Sequence, residues 1–242
     1  MTHQIKSPLQ SDGPLSMARF FHNVPDDIRQ SLLGAAAPIN LKKDQRLFER
    51  GDAGGTMYVV QSGRIEISVV TEAGRKILLN LTGPGHCFGE VSMVDNRQRT
   101  ASAVALEDTR LQPIGRSKFL EALKRSPELG INLLEILCER VRWVSDSVED
   151  YALHSLHRRL ARRLIVLHEN FALPDGSIEI AQSDLADFAG ATRESTNKIL
   201  MQWKSEGLIT LKRRNIRLSD MQKLDQLAYG DDNQEIGSTK RR

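Results

Sequence analysis

The chain has little of several things, and each shortage closes off a class of protein. Only two cysteines, Cys87 and Cys138, stand in 242 residues. That pair excludes a disulfide framework, a four-thiolate zinc site and a four-cysteine iron–sulfur cluster. Aromatic side chains make up 5% of the sequence, too few for the stacking platforms of a single-strand nucleic-acid binder. No apolar run approaches the ~18 residues of a membrane span. The stretch from Met1 to Ser16 is polar and lacks the apolar centre of a signal peptide. A cytoplasmic protein with free thiols and no membrane partner is expected. Charge of one sign is missing too: 34 Lys and Arg face 31 Asp and Glu, a formal +3. A histone-like polycation is therefore excluded, although a local basic patch is not. A nucleophile elbow, a Walker loop and a zinc-spaced histidine pair are all absent, so an enzyme is not expected.

What is present suffices for a core, with 40% hydrophobic and 27% charged residues,. Residues 1–15 hold Pro8, Asp12, Gly13 and Pro14 and read as a flexible tail,. A short helix is expected near Asp26 to Ala37, with Pro25 at its start. The texture then changes. Gly51, Gly63, Gly74 and Gly85 recur at intervals of 12, 11 and 11 residues. Between them lie β-prone runs, Met57–Val60, Ile65–Val70 and Ile77–Leu81, with Ala103–Ala105 following. Ile65, Ile67 and Val69 alternate with Glu66 and Ser68, as in a strand with one apolar face,. Turn signals at such spacing predict an antiparallel sandwich or barrel.

After Ser117 the period becomes helical. Leu134, Leu137, Val141, Val144, Val148 and Tyr151 form an a/d seam of about two and a half heptads. Such a stripe either packs on its own domain or pairs two copies of the chain, and a homodimer coiled coil is the favoured reading. From His157 the sequence is helical again, to a break at Pro174-Asp-Gly176. The last third then reads strand, helix, turn, helix, strand, turn, strand, short helix. Residues 231–242 are polar and expected to be flexible.

Residues 182–207 carry a second signal. Ser183 can cap a helix whose inner face is Leu185, Ala186 and Ala189. Gly190 suits a left-handed turn after it. Thr192 can cap a second helix with a buried stripe of Thr196, Ile199, Leu200 and Trp203. That leaves Arg193, Glu194, Asn197 and Lys198, with Ser195 beside them, on the outer face. Polar groups at the start of a second helix are what a helix-turn-helix presents to base edges. A β-ribbon follows, Leu208–Leu211 and Ile216–Leu218, and its turn Lys212-Arg213-Arg214-Asn215 makes a basic wing. From Arg193 to Arg217 seven Lys and Arg face two Glu, a net +5. Arg158, Arg159, Arg162 and Arg163 form another basic run, read equally as phosphate contacts or as internal salt bridges,.

In the β region, Phe88 to Ser102 stands out. Gly89 permits close backbone approach, Glu90 can accept from vicinal hydroxyls, and Arg99 and Thr100 can meet a phosphate. Polar residues here surround a stretch expected to form a short helix. By themselves Glu90 and Arg99 fit an internal salt bridge as well as a ligand site. His86 and Cys87 lie close by, and their expected role is packing rather than haem ligation.

Gly51-Asp-x-Gly-x-x-Met-Tyr-Val-Val-x-x-Gly63, then Phe88-Gly-Glu90, then Arg99-Thr-Ala101, resembles the phosphate-binding cassette of cyclic-nucleotide-binding domains. With a long helix and a winged helix-turn-helix behind it, residues 18–220 resemble the Crp–Fnr family of bacterial transcription regulators, in particular its cyclic-AMP-receptor branch. The resemblance implies an α+β chain. A jelly-roll β domain would span residues 16–126, a dimerisation helix 127–153 and a winged helix-turn-helix domain 154–230. It implies Gly89 and Glu90, flanked by Val91 and Ser92, on the ribose side of a bound nucleotide. Arg99, Thr100 and Ala101 would meet the cyclic phosphate, and Val144 and Ser145 would stand nearest the purine. Arg193, Glu194 and Lys198 would read bases, with Ser183, Thr192, Ser195, Asn197, Lys212, Arg213 and Arg214 around them. The implied effector is cyclic AMP, with cyclic GMP kept open. The implied partners are palindromic double-stranded DNA, a second copy of the chain and, for an activator, RNA polymerase. The chain departs from the family at Gln98, where relatives commonly carry proline, and at Val144, where the best-known cyclic-AMP binders carry a polar residue.

Overall fold

In the computed structural model of this chain the structure describes residues 17–230, apart from residues 73–75 and Arg213. The tails expected at 1–15 and 231–242 lie outside the described residues, as does Arg213 of the wing. The chain divides into two compact units, residues 1–146 and 147–242.

The first unit opens with α1 (Met17–Phe20) and α2 (Asp26–Leu33). Pro25 precedes α2 as expected, but the helix stops before Ala37. Gly34 closes it through an N–H bond to the Gln30 carbonyl, and Pro38 disfavours helical geometry in the residue before it. The Ala36 carbonyl instead accepts from Gln112 Nε2 at 2.8 Å. Eight strands follow: β1 (Ile39–Leu41), β2 (Arg46–Phe48), β3 (Thr56–Ser62), β4 (Ile65–Val70), β5 (Lys76–Thr82), β6 (Cys87–Phe88), β7 (Ser102–Ala105) and β8 (Thr109–Gly115). A short helix, α3 (Glu90–Asp95), interrupts them. Among the described residues of this unit the strands form two antiparallel sheets, ordered β1-β8-β3-β6 and β2-β7-β4-β5. Every run expected to be a strand lies within one of them.

Period-two alternation builds two cores from the shared sheet. On β3, Val60 points between the sheets, to join Leu41, Ile65, Ile67, Phe88, Ala103 and Leu111. Met57 and Val59 point the other way, to Phe20, Ile28, Leu32, Ile114 and Phe119. That second layer includes α4 (Arg116–Arg125) and the start of α5 (Glu128–Leu153), whose Leu129, Leu133 and Ile136 are buried in it. The first turns of the long helix are thus part of the β domain's core rather than a separate rod. Strand β4 departs from simple alternation, since Glu66 and Ser68 are buried along with Ile65 and Ile67. Glu66 is compensated inside the protein: it accepts from Ser68 Oγ at 2.9 Å and pairs with Lys76 Nζ at 2.7 Å,.

The second unit holds the end of α5, then α6 (Leu156–Phe171), β9 (Ser177–Glu179), α7 (Gln182–Ala189), α8 (Arg193–Ser205), β10 (Ile209–Lys212), β11 (Asn215–Leu218) and α9 (Met221–Tyr229). The expected ribbon is present as β10 and β11, with Lys212 paired to Asn215. Strand β9 adds to its edge, with Ile178 opposite Ile216. Leu160, Leu164, Leu185, Phe188, Leu200, Trp203 and Leu224 fill the core beneath.

Leu133→Ala should cost about 2–5 kcal/mol, because its side chain is 5% exposed within a packed cluster,. Urea unfolding at fixed protein concentration checks this, and the midpoint should fall with the slope unchanged.

Candidate ligand pocket and nucleic-acid interface

In the first unit a small cleft opens between α3, the loop before β7 and α5. Gly89, Glu90, Val91, Ser92, Arg99, Thr100 and Ala101 all line it, so seven residues singled out from sequence come together. Gly89 precedes α3 with φ of +82°. A Cβ there would lie 2.7 Å from Arg99 Nη1 and 3.2 Å from the Thr56 carbonyl oxygen. A side chain at 89 is therefore excluded by both strain and space. Arg99 Nη1 uses that room, donating to the Gly89 carbonyl at 3.2 Å and to Ser92 Oγ at 2.7 Å. The backbone of Arg99 is tied at both ends, its N–H to Asp52 O at 2.8 Å and its carbonyl to Gly51 N–H at 2.9 Å. The conspicuous Gly51-Asp52 pair of the sequence thereby holds the arginine in place.

Glu90 and Arg99 do not pair with each other. Glu90 Oε1 accepts from Arg140 Nη1 of α5 at 2.9 Å. Sequence reasoning missed Arg140, which lines the same cleft. It lies fifty residues from its partner, and no local motif marks it. Two buried atoms of residues that line the cleft are unspent: among the described residues, Glu90 Oε2 and Arg99 Nε have no hydrogen-bond partner. One is an acceptor and the other a donor on a cation. Burial pulls the Arg99 pKa below its ordinary value, as expected when part of a charge's hydration is not replaced. Val144 and Ser145 do not line the cleft. Both are exposed on α5 beyond Arg140, and Ser145 Oγ bonds back to the Val141 carbonyl at 3.0 Å. His86 and Cys87 are buried packing groups, and burial pushes the Cys87 thiol far above its ordinary range, away from the thiolate a metal needs.

The expected seam on α5 is partly redrawn. Leu134, Val141, Val144 and Val148 are exposed by 47–66%. Leu137 instead turns toward the core of its own β domain. Tyr151 is 41% exposed and also packs within its own unit: its ring fills the space beside Gly190, and its hydroxyl lies 3.5 Å from the Phe188 carbonyl. Ile131, not anticipated, is 59% exposed and extends the apolar face toward the start of α5.

In the second unit α7 and α8 form the helix-turn-helix. Gly190 ends α7 in the left-handed region at φ +65°. Any side chain there would strike Tyr151 Cε1, only 2.3 Å from a Cβ. Thr192 caps α8, its Oγ1 accepting from Ser195 N–H at 3.2 Å. Ser183 does not cap α7: the extended residue is Ala181, Gln182 is already helical, and Ser183 lies exposed in the first turn. On α8, Thr196, Ile199, Leu200 and Trp203 are buried, while Arg193, Glu194, Ser195, Asn197 and Lys198 are exposed. Lys212 and Arg214 are exposed at the wing, and Arg214 takes a left-handed φ of 58° in the tight turn.

The basic run of α6 proves largely internal. Arg159 donates to the carbonyls of Ala189 at 3.1 Å and His154 at 2.9 Å. Arg162 binds the Ala228 carbonyl and pairs with Asp150. Arg163 is buried with its guanidinium 4.8 Å from the centre of the Phe188 ring. These three charges tie α6 to its neighbours instead of forming a second outward basic surface.

Thr196 Oγ1 is buried and without a partner among the described residues. Thr196→Val should therefore stabilise the protein by about 1 kcal/mol, since it removes an uncompensated hydroxyl at nearly constant shape. Scanning calorimetry should show the melting temperature of the variant ~2–4 °C higher.

Both units match known protein families. Residues 38–126 match the cyclic nucleotide-binding domain family, and residues 158–227 match the Crp-like helix-turn-helix domain family. A CRP-like cAMP-activated global transcriptional regulator of Mycobacterium tuberculosis is 28% identical over 88% of this chain and 97% of its own length. A cyclic AMP receptor protein of Thermus thermophilus is 31% identical over 76% of this chain and 84% of its own. A solved CRP/FNR-family transcriptional regulator from Thermus thermophilus, 28% identical, aligns with a TM-score of 0.66 over 79% of this chain and 98% of that one. With a nucleotide-type pocket in one unit and a capped, winged helix-turn-helix in the other, the chain belongs to the Crp–Fnr family of bacterial transcription regulators.

Proposed function

We propose that this regulator is a homodimer whose binding to palindromic DNA is gated by a cyclic nucleotide, with cyclic AMP the favoured effector. The observation that carries the reading is the pair of unspent buried atoms, Glu90 Oε2 and Arg99 Nε, in one cleft. A buried acceptor and a buried cationic donor left open together call for a ligand that offers a hydroxyl and an anion. A cyclic nucleotide carries both, as ribose 2′-OH and cyclic phosphate. Two cAMP-linked relatives in the family support the choice of purine. Thr100, exposed where it lines the cleft, could donate to a guanine carbonyl, and this favours cyclic GMP as the second reading.

The geometry suggests how occupancy is felt. Glu90 spends one oxygen on Arg140 of α5 and keeps the other unpaired. A ribose bound at Glu90 thus acts on the helix that carries the exposed apolar face. That face, from Ile131 through Leu134, Val141 and Val144 to Val148, supports a second copy of the chain as partner,. Nucleotide binding would shift a pre-existing equilibrium between two arrangements of the DNA-binding units. A change from 1:99 to 99:1 requires ~5.5 kcal/mol of differential binding, which two bound nucleotides would share. In the competent arrangement two α8 helices would enter successive major grooves ~34 Å apart. Lys212 and Arg214 would meet phosphates, and Arg193, Glu194 and Lys198 would meet bases. DNA binding requires the cytoplasm as the compartment, and an activator would add RNA polymerase as a partner.

Arg99→Ala should weaken cyclic-nucleotide binding ~30-fold or more, as expected on losing a buried charge-assisted partner, while leaving the fold and DNA-independent self-association intact. Calorimetry with cyclic AMP and cyclic GMP reads the affinity, and gel shifts on a palindromic site with and without each nucleotide read the gating. Unchanged affinity in the variant would refute the assignment. Arg193→Ala should relax preference at one base pair at a cost of ~1–3 kcal/mol. Binding to a panel of single-base operator variants checks it, and an equal loss on every sequence would make Arg193 a phosphate contact.

A further inference from the structure

Arg99 is held by more than the cassette loop. Its guanidinium carbon lies 4.1 Å from the centre of the Phe48 ring and 5.6 Å from that of Tyr58. Those rings belong to a small stack with Phe88: Tyr58 to Phe88 is 5.5 Å, Phe48 to Tyr58 6.1 Å, and Phe48 to Phe88 6.2 Å. Three of the seven phenylalanines and three tyrosines in the chain thus gather beside one arginine. Phe48 and Phe88 also line the cleft itself.

Phe48 reaches this place through an irregularity of its strand. Along β2 and β7, Arg46 is opposite Val104, but Phe48, two residues on, is opposite Ala103 instead of Ser102. The extra residue in β2 is a β-bulge. A one-residue shift of register exchanges the faces of a strand. In regular pairing Phe48 would stand opposite the partly exposed Ser102; the bulge sets it opposite the fully buried Ala103 instead. A bulge that re-aims one aromatic side chain at a pocket arginine is a local departure with an evident use.

We infer that Phe48 is a positioning residue for the effector's anion: its ring, aimed by the β2 bulge, clamps the Arg99 guanidinium before the ligand arrives. On one edge Nη1 is committed to Gly89 O and Ser92 Oγ. One face is covered by the Phe48 ring. The guanidinium is left in a single orientation, with Nε buried and unpartnered. Cation–π attraction strengthens when the cation is desolvated, and Arg99 is 5% exposed. The ring therefore lowers the ordering cost that a flexible arginine would incur on binding. The inference rests on the cyclic-nucleotide reading only for the identity of the anion.

Two measurements on the full chain separate the clamp from that reading. In ¹⁵N-labelled, ligand-free protein, the Arg99 Nε–Hε resonance, assigned by its disappearance in Arg99→Lys, should be slow to exchange and displaced upfield by the ring. Phe48→Leu should return it toward the position of a solvated arginine, and Phe48→Tyr should preserve it. Calorimetry with cyclic AMP and cyclic GMP should then show Phe48→Leu weakening the nucleotide that binds by ~3–30-fold, with Phe48→Tyr restoring most of the loss. If Phe48→Leu fails to fold by circular dichroism, Phe48→Met carries the same comparison. An unshifted, fast-exchanging Arg99 resonance in the wild type would overturn the inference. So would a resonance indifferent to Phe48→Leu, or wild-type nucleotide affinity in that variant. If the wild-type protein binds neither nucleotide, the effector reading fails by itself, and the resonance alone decides whether the clamp exists.

Discussion

A guanidinium taken out of water is costly unless its hydration is replaced, and the β domain's pocket is arranged around replacing it for Arg99. Two acceptors take one of its nitrogens, a ring covers its face, and backbone bonds to Gly51 and Asp52 hold its main chain. The guanidinium's place depends on residue 89 having no side chain, because a Cβ there would lie 2.7 Å from Arg99 Nη1. The left-handed turn at Gly89 also begins α3, which brings Glu90 and Ser92 to the same cleft. One backbone conformation therefore determines where the acid, the base and the hydroxyl of the site meet.

The replacement is deliberately incomplete at Arg99 Nε and Glu90 Oε2. Unspent polar atoms of opposite character are tolerable in a core only where something else completes them. The ion pair from Glu90 to Arg140 links that incompleteness to α5, whose first turns are built into the β domain's core. A helix fixed at one end in a ligand-binding unit and apolar along its exposed face is suited to carrying a small change at the pocket to a subunit contact. In the DNA-binding unit the rigidity comes from elsewhere. Gly190 and Thr192 set the turn and cap of α8, and Arg159 and Arg162 tie α6 to neighbouring carbonyls. Their charge is spent inward, so the outward basic surface is concentrated on α8 and the wing. Such concentration favours site-selective over indiscriminate binding to DNA.

Much of this was legible in the chain because it rests on local rules. Turn glycines at regular intervals and β-branched runs marked the strands, and the Thr192 cap with the Thr196, Ile199, Leu200 and Trp203 stripe marked the recognition helix. Those signals depend on backbone geometry and burial within a few residues of one another. What misled was equally physical. Glu66 and Ser68 looked like the wet face of β4, but a lysine ten residues away allows that face to close. Leu137 continued a heptad pattern, yet it packs against the core of its own β domain. For the α6 arginines the sequence left phosphate contact and internal pairing equally open, because charge counting cannot see carbonyls contributed by distant segments.

Sequence by itself determined the element types and the order of a β domain before a helix-turn-helix, since these follow from periodicity and capping chemistry, while the Gly89-Glu90 and Arg99-Thr100 motifs carried a family resemblance. Tertiary structure decided which charges line the cleft, which are open to solvent and which are structural. Arg99, Arg140, Arg159 and Arg193 are the same residue type with the same intrinsic charge. Their roles diverge because one lies against an aromatic ring, one against a buried carboxylate, one against backbone carbonyls and one against open solvent. Those surroundings come from segments tens of residues away, and only the folded chain brings them together.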